Sequence, residues 1–272
     1  MSTVPEHTLT ATGSRPRRMA PLLLALAGAL LVPGMAAGKA PGTSFVDDFD
    51  SLDKARWYVS DGWNNGPQQN CNWSKNQLKA EDGVLTLSFE KAAAKDRDYA
   101  CAEVQTKQRF SYGTYEARMK TDTGSGLNAA FFTYIGKTDK QPHDEIDFEA
   151  LTKDPSKVQV NAFTSGKGNN EKLAEVQGGT DAGFNDYAFV WKPDGLSWYV
   201  NGELVNTITD PAKLPSHPQK IFFSLWGSDT LGEWMGAFAD PGRKVTLQVD
   251  RVAFTALGDK CQFPESVACK VQ

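Results

Sequence analysis

Short runs in which apolar and polar residues alternate recur along this chain, and helical patterning is scarce. The runs are Val84 to Phe89, Gly113 to Lys120, Ala129 to Tyr134, Glu145 to Leu151, Lys157 to Phe163, Asp186 to Trp191, Ser197 to Val200, Ile221 to Trp226 and Lys244 to Phe254. Turn-forming clusters separate many of them: Glu81-Asp82-Gly83, Pro193-Asp194-Gly195, Asn201-Gly202 and Asp240-Pro241-Gly242. Leu196 to Val200 and Glu203 to Ile208, joined by Asn201-Gly202, predict a hairpin with a tight turn. Many short strands with frequent turns point to an antiparallel β-sandwich or jelly roll and away from a βαβ fold.

The amino terminus follows a different pattern. Arg15, Arg17 and Arg18 precede an apolar run from Met19 to Val32, and small residues follow at Ala36, Ala37 and Gly38. The run is about fourteen residues, shorter than the roughly 20 needed to span a bilayer, so residues 1–38 are expected to be a signal peptide with an N-terminal extension. Lys39 to Ser44 then form a flexible lead-in, and one domain is expected over 45–272. Its size of about 230 residues suits a single all-β sandwich. Removing Arg15, Arg17, Arg18 and Glu6 takes the formal charge from -4 to about -6, which argues against nucleic acid or an anionic membrane as partner. The exported chain is expected to be a monomer, outside the cytoplasm and free of the membrane. All four cysteines, Cys71, Cys101, Cys261 and Cys269, fall in the exported part and imply disulfides. Of the three possible connectivities, Cys71 with Cys101 and Cys261 with Cys269 closes the least chain. A metal site is the weaker reading, because no Cys-x-x-Cys occurs and only His143 and His217 remain after export.

The stretch Pro142-His143-Asp144-Glu145-Ile146-Asp147-Phe148-Glu149-Ala150-Leu151 carries the chemistry. Side chains alternate faces along a strand, so Glu145, Asp147 and Glu149 share one face while Ile146, Phe148 and Ala150 share the other. A solvated surface strand is the ordinary meaning of such alternation. Three acids in a row with no interleaved cation repel one another, however, and folding gains nothing from that arrangement. Residues four apart on a strand have Cα atoms about 13 Å apart. Two Glu side chains leaning together across Asp147 can approach the roughly 5 to 5.5 Å typical of retaining glycosidases. One glutamate must then be ionised and the other protonated, and a middle carboxyl coupled to both can push them apart.

These residues resemble the Glu-x-Asp-x-Glu signature of glycoside hydrolase family 16. The likeness to the lichenases of that family continues through Asp61-Gly62-Trp63-Asn64-Asn65-Gly66, Cys71-Asn72-Trp73, Tyr112 to Lys120, Phe131-Phe132-Thr133-Tyr134 and Glu233-Trp234-Met235-Gly236. It also resembles rhizobial secreted glycanases that depolymerise succinoglycan, through Trp57 to Gly66, Phe222 to Gly227 and the segment around Cys261-Gln262-Phe263 and Glu265 to Cys269. The resemblance implies a concanavalin A-like jelly roll with a concave substrate cleft, cutting β-linked glucan-type polysaccharide inside the chain with retention. It implies Glu145 as nucleophile, Asp147 as its modulator and Glu149 as acid and then base. It places Asn65, Glu103, Phe132, Tyr134, Gln159, Asn161 and Trp226 along the cleft; His143 is read as either a contact to sugar or a structural strand-entry residue, and Trp191 and Trp198 are expected in the core. The Cys71–Cys101 bridge also matches the lichenase pattern.

Gln105, His143, Phe163 and Ser224 stand where lichenases have Arg, Trp, Tyr and Asn, which bears on the substrate and leaves the reaction intact. No cofactor is expected for catalysis. The family resemblance further implies a structural calcium, for which Asp250 and Gly83 are the matching positions. A transglycosylase of the same family and a non-catalytic lectin-like module are the rival functions; the intact acidic trio argues against the second.

Overall fold

The computed structural model describes residues 41–168 and 170–271, so the expected signal peptide at 1–38 lies outside the described residues. In chain order the strands are β1 (Phe45–Asp47), β2 (Trp57–Val59), β3 (Cys71–Trp73), β4 (Leu78–Glu81), β5 (Val84–Ala94), β6 (Arg97–Thr106), β7 (Gly113–Thr121) and β8 (Leu127–Ile135). There follow β9 (Asp144–Leu151), β10 (Lys157–Phe163), β11 (Lys172–Glu175), β12 (Asn185–Lys192), β13 (Gly195–Val200), β14 (Glu203–Ile208), β15 (Lys220–Gly227) and β16 (Val245–Ala256). Two helices are single turns, α1 (Gly232–Met235) and α2 (Ala268–Val271).

The strands form one hydrogen-bonded path that folds into two layers. The front layer runs β11-β10-β9-β8-β15-β6, with β2 paired to β6. The back layer runs β5-β16-β7-β12-β13-β14, with β4 on β5 and β1 on β16. Consecutive β5 and β6 pair with each other and join the two. All pairings are antiparallel except β3 with β6. The expected sandwich is therefore present, and its core lies between the layers. Phe131, Phe148 and Phe223 on the underside of β8, β9 and β15 are buried. From the back layer, Phe189 approaches Phe131 at 5.7 Å and Tyr187 approaches Phe148 at 5.4 Å between ring centroids.

Local chemistry explains the joints. In the β13–β14 hairpin Asn201 and Gly202 take φ of 51° and 82°, the pair of positive values that a two-residue type I′ turn requires. At the start of β7, Gly113 passes so close to β16 that a Cβ would sit 2.3 Å from the Thr255 carbonyl oxygen, and only glycine fits. The disulfides are Cys71–Cys101, tying β3 to β6, and Cys261–Cys269, closing the C-terminal segment. That segment covers the back layer: buried Glu116 on β7 accepts hydrogen bonds from Ser266 Oγ and from Val267 N, the latter at 2.8 Å.

Of the expected lead-in, residues 41–44 are described, and two of them contact distant parts of the chain. Gly42 N donates to the Arg109 carbonyl at 2.7 Å and its α-carbon faces the Phe110 ring, while Ser44 Oγ bonds Asp259 at 2.6 Å. Backbone hydrogen-bonding and a close ring contact hold it down, neither of which its small, polar composition signals.

Trp191 and Trp198 are fully buried, as expected for the core. Trp198 on β13 also reaches across the core, donating Nε1–H to the backbone carbonyl of Asp147 on β9 at 3.1 Å. This bond ties the back layer to the acidic strand. Trp198→Phe removes this bond together with part of a fully buried ring, at a cost of about 1–3 kcal/mol. For a domain of this size that amounts to a Tm lower by about 2–12 °C; an unchanged thermal midpoint in calorimetry would show that the bond contributes nothing.

Candidate active site

The front layer turns one face to the core and the other to a cleft of about 810 Å³. Ile146, Phe148 and Ala150 of β9 are buried in the core, which forces Glu145, Asp147 and Glu149 onto the cleft side. Strand register then sets their neighbours in rows. Glu149 lies between Gln159 of β10 and Ala130 of β8, continued by Ser224 and Glu103. Asp147 lies between Asn161 and Phe132, continued by Phe222, Gln105 and Tyr58. Glu145 lies between Phe163 and Tyr134, continued by Lys220.

The three acids differ in environment. Asp147 is 3% exposed, and burial, the charges of Glu145 and Glu149 and a hydrogen bond with Glu145 all push its carboxyl well above the usual range. This environment favours its protonated form, which can donate a hydrogen bond to Glu145. Glu149 is pushed up to about 8, first by desolvation and then by the charge of Glu145; Asn128 Nδ2, donating to its Oε1 at 3.0 Å, works in the other direction. Glu145 meets His143, whose Nε2 lies 2.6 Å from Oε2. Across the cleft, burial raises Glu103 to about 7 against a 2.6 Å hydrogen bond donated by Ser60 Oγ. Here the strands have assembled an ionisable carboxylate beside a carboxyl that holds its proton through neutral pH.

The other residues singled out in the sequence divide into three groups. Asn65, Glu103, Phe132, Tyr134 and Trp226 line the same cleft as the acids. His143 stands at its edge, against Glu145. Gln159 and Asn161 are on the cleft side of β10 but line neighbouring depressions, and both carry protein hydrogen bonds. Gln159 Oε1 accepts from Trp234 Nε1 at 2.7 Å, and Asn161 Oδ1 accepts from Ala162 N at 2.8 Å and Asn170 N at 3.3 Å. The cleft also contains Trp63, Trp73, Tyr58, Asn128, Phe222, Lys107 and Lys220, which sequence reasoning did not single out as contacts. Trp63 comes from the loop between β2 and β3 and packs edge-on against Trp73 at 6.4 Å. Asn128 could have been found from its place on the cleft face of β8, one strand from Glu149.

Asp250 and Gly83 are near neighbours in the back layer, since β16 pairs Val249 with Leu85. One Asp250 oxygen pairs with Arg118, and the other is buried without a hydrogen-bond partner. Among the described residues no group of three His, Cys, Asp or Glu side chains is placed to hold a metal.

A two-layer β-sandwich with unequal carboxyls in an open, aromatic-lined trough defines a polysaccharide-cleaving enzyme, and comparison with known proteins agrees. The family model for glycosyl hydrolases family 16 matches residues 65–248. The endo-1,3-1,4-β-glycanase ExoK of Rhizobium meliloti is 63% identical over 231 residues, covering 84% of this chain and 85% of that one. The β-glucanase of Bacillus subtilis is 38% identical, covering 72% and 80% of the two chains. Among solved structures, the β-glucanase of Bacillus licheniformis superposes with a TM-score of 0.74 at 35% identity, covering 79% of this chain and 98% of that one. The chain belongs to glycoside hydrolase family 16 and is a glycoside hydrolase.

Proposed function

We propose that this enzyme hydrolyses β-linked glucan-type polysaccharide at internal bonds, with retention, in two displacements. Glu145 attacks the anomeric carbon as the bond to the leaving oxygen breaks, and Glu149 gives that oxygen its proton. Water then attacks the same carbon, returns a proton to Glu149 and frees Glu145. Asp147, held neutral, steadies Glu145 by hydrogen bonding and adds no charge beside it. The observation that carries this reading is the inequality of the two glutamates: desolvation holds the proton on Glu149 up to about pH 8, while Glu145 Oε2 lies 2.6 Å from His143 Nε2.

Mixed β-1,3-1,4-glucan and a succinoglycan-like acidic exopolysaccharide are the two substrates we infer. One observation favours the acidic polymer. At one end of the cleft Asp139 is shared by Arg109 at 2.8 Å and Lys220 at 3.1 Å, and Lys107 stands nearby, so that end keeps an excess of positive charge. Gln105 and Ser224, two of the departures from the lichenase pattern, also line the cleft. Two disulfides fit an exported protein, and no helix among the described residues is long and apolar enough to cross a membrane.

Reducing-sugar assays on mixed-linkage β-glucan, laminarin and succinoglycan test the reaction. Glu145→Gln and Glu149→Gln are each expected to lower kcat by about 10³-fold or more. Activity equal to wild type in Glu145→Gln on all three polymers would leave only a carbohydrate-binding role. Proton NMR of the first products should show the β-anomer before the α-anomer, and the reverse order would overturn the double displacement. Products longer than the starting chains would assign transglycosylation instead.

The pH profile tests the acid. Activity falls as Glu149 loses its proton, so the alkaline limb of kcat/KM is expected at about 8. The hydrogen bond from Asn128 favours the ionised form. Asn128→Ala therefore should move this limb to higher pH; a limb that stays in place or moves down contradicts the assignment.

The buried, partnerless oxygen of Asp250 suits a hard cation, and we propose that Asp250, with the Gly83 carbonyl, holds a calcium ion whose contribution is to stability alone. Calcium added at about 1 mM after chelation is expected to raise Tm by several degrees, and Asp250→Asn to abolish the rise. An unchanged Tm in the wild type would remove the site.

A further inference from the structure

We propose that His143 is the positioning residue of the nucleophile, donating its Nε2–H to Glu145 Oε2 and so fixing which carboxylate oxygen faces the sugar. The inference rests on the reading of Glu145 as nucleophile and deepens it. His143 Nε2 lies 2.6 Å from Glu145 Oε2, a separation typical of a charge-assisted hydrogen bond. Nothing about the position is loose. The imidazole lies flat on Phe163 of β10, with centroids 5.1 Å apart and planes 15° apart. Tyr134 of β8 closes the other side at 5.2 Å. The His143 carbonyl accepts from Gly166 N at 2.7 Å. The adjacent Asp144, fully buried, is pinned by Ser165 N at 2.8 Å, Ser216 N at 3.0 Å and the His217 ring at 2.8 Å. Ring, backbone and following residue are thus all fixed before substrate arrives.

The need for such a donor follows from the strand. Glu145 shares its face with Asp147 and Glu149, which supply no positive charge, so a carboxylate there needs donors to stay ionised and oriented. Neutral Asp147 is one, and His143 supplies a second from the opposite side. The ionisable groups facing His143 are Glu145 and Asp144 on β9 and Tyr134 on β8; Phe163 on β10 does not titrate. The hydrogen bond to Glu145 raises the imidazole pKa against the opposing effect of burial. The resemblance to lichenases places Trp at this position, so an imidazole stands here where that pattern has an indole.

The experiment uses a 2-deoxy-2-fluoro-β-glycosyl fluoride of a glucan disaccharide on the full protein, read by intact-mass and peptide mass spectrometry. The Glu145 oxygen forms a bond to the anomeric carbon as the carbon–fluorine bond breaks and fluoride departs. Fluoride needs no proton from Glu149, so the labelling rate reports on the nucleophile. Wild type should be labelled at Glu145. His143→Phe, which keeps a ring against Phe163 but cannot donate, is expected to label about 10-fold more slowly at saturation, with its acid limb displaced to higher pH. His143→Gln, which keeps an N–H donor, should stay within about 3-fold of wild type. A His143→Phe rate equal to wild type at every pH overturns the proposal. So does a change confined to the half-saturating concentration, which would make His143 a sugar contact. Should His143→Phe not fold, His143→Leu decides by the same criteria. Failure of wild type to label at Glu145 would instead overturn the nucleophile assignment on which the inference rests.

Discussion

Three carboxyl groups forced onto one face of a single strand, in a trough backed by aromatic core, cannot all be ionised. Everything functional in this structure follows from how that conflict is resolved. Ile146, Phe148 and Ala150 are buried, so the opposite face has no freedom to turn away. Repulsion is then relieved by protonation. Burial and the charges of both neighbours favour the proton on Asp147, the most buried of the three; Glu149 is pushed up to about 8; and Glu145 has His143 Nε2 2.6 Å from its Oε2. In the mechanism proposed here, the division of labour between Glu145 and Glu149 would follow from burial and mutual charge on one strand.

The remainder of the fold serves to keep that strand in place. Antiparallel register sets Gln159, Asn161 and Phe163 on one side and Ala130, Phe132 and Tyr134 on the other, so each acid has two defined neighbours. Trp198 reaches the Asp147 carbonyl through the core, and Asp144 fastens the start of the strand to two loops. Glu103, raised to about 7 across the trough, extends the same desolvated environment to β6. Stability is spent here on a site of fixed shape: buried acids that must shed a proton as pH rises weaken the fold on the alkaline side.

Much of this was legible in the sequence because period-two alternation is a local signal. The strand at Lys157–Phe163 has the same ends in the sequence reading and in the structure, and the acidic strand differs only by Asp144 at its start. The Asn201-Gly202 turn follows from backbone conformations that few other residues adopt. What escaped notice had no local signature. β6, one of the longest strands, turns Ala100, Ala102 and Val104 inward, and the small alanines gave no hydrophobic pulse above its polar neighbours. β2 and β3 are three residues each, too short for a period to register. The pairing of Gln159 with Trp234, and of Asn161 with the loop at Asn170, depends on contacts between distant segments. The same holds for Gly42, which meets Arg109 and Phe110 far along the chain. His143 was legible as a departure from a family pattern, but its bond to Glu145 is a matter of side-chain direction.

The central claim is that burial and the neighbouring charge on Glu145 hold the Glu149 proton. Carbon-13 NMR of the glutamate side-chain carboxyls, with Glu149 assigned by its loss in Glu149→Gln, measures this directly. The account predicts a Glu149 midpoint of about 8 in the free enzyme. In Glu145→Gln, with the facing charge removed, that midpoint should fall yet stay above the ordinary range, since desolvation is the larger cause. A Glu149 carboxyl that titrates near 4.5 in the wild-type protein, or one indifferent to Glu145→Gln, would contradict it.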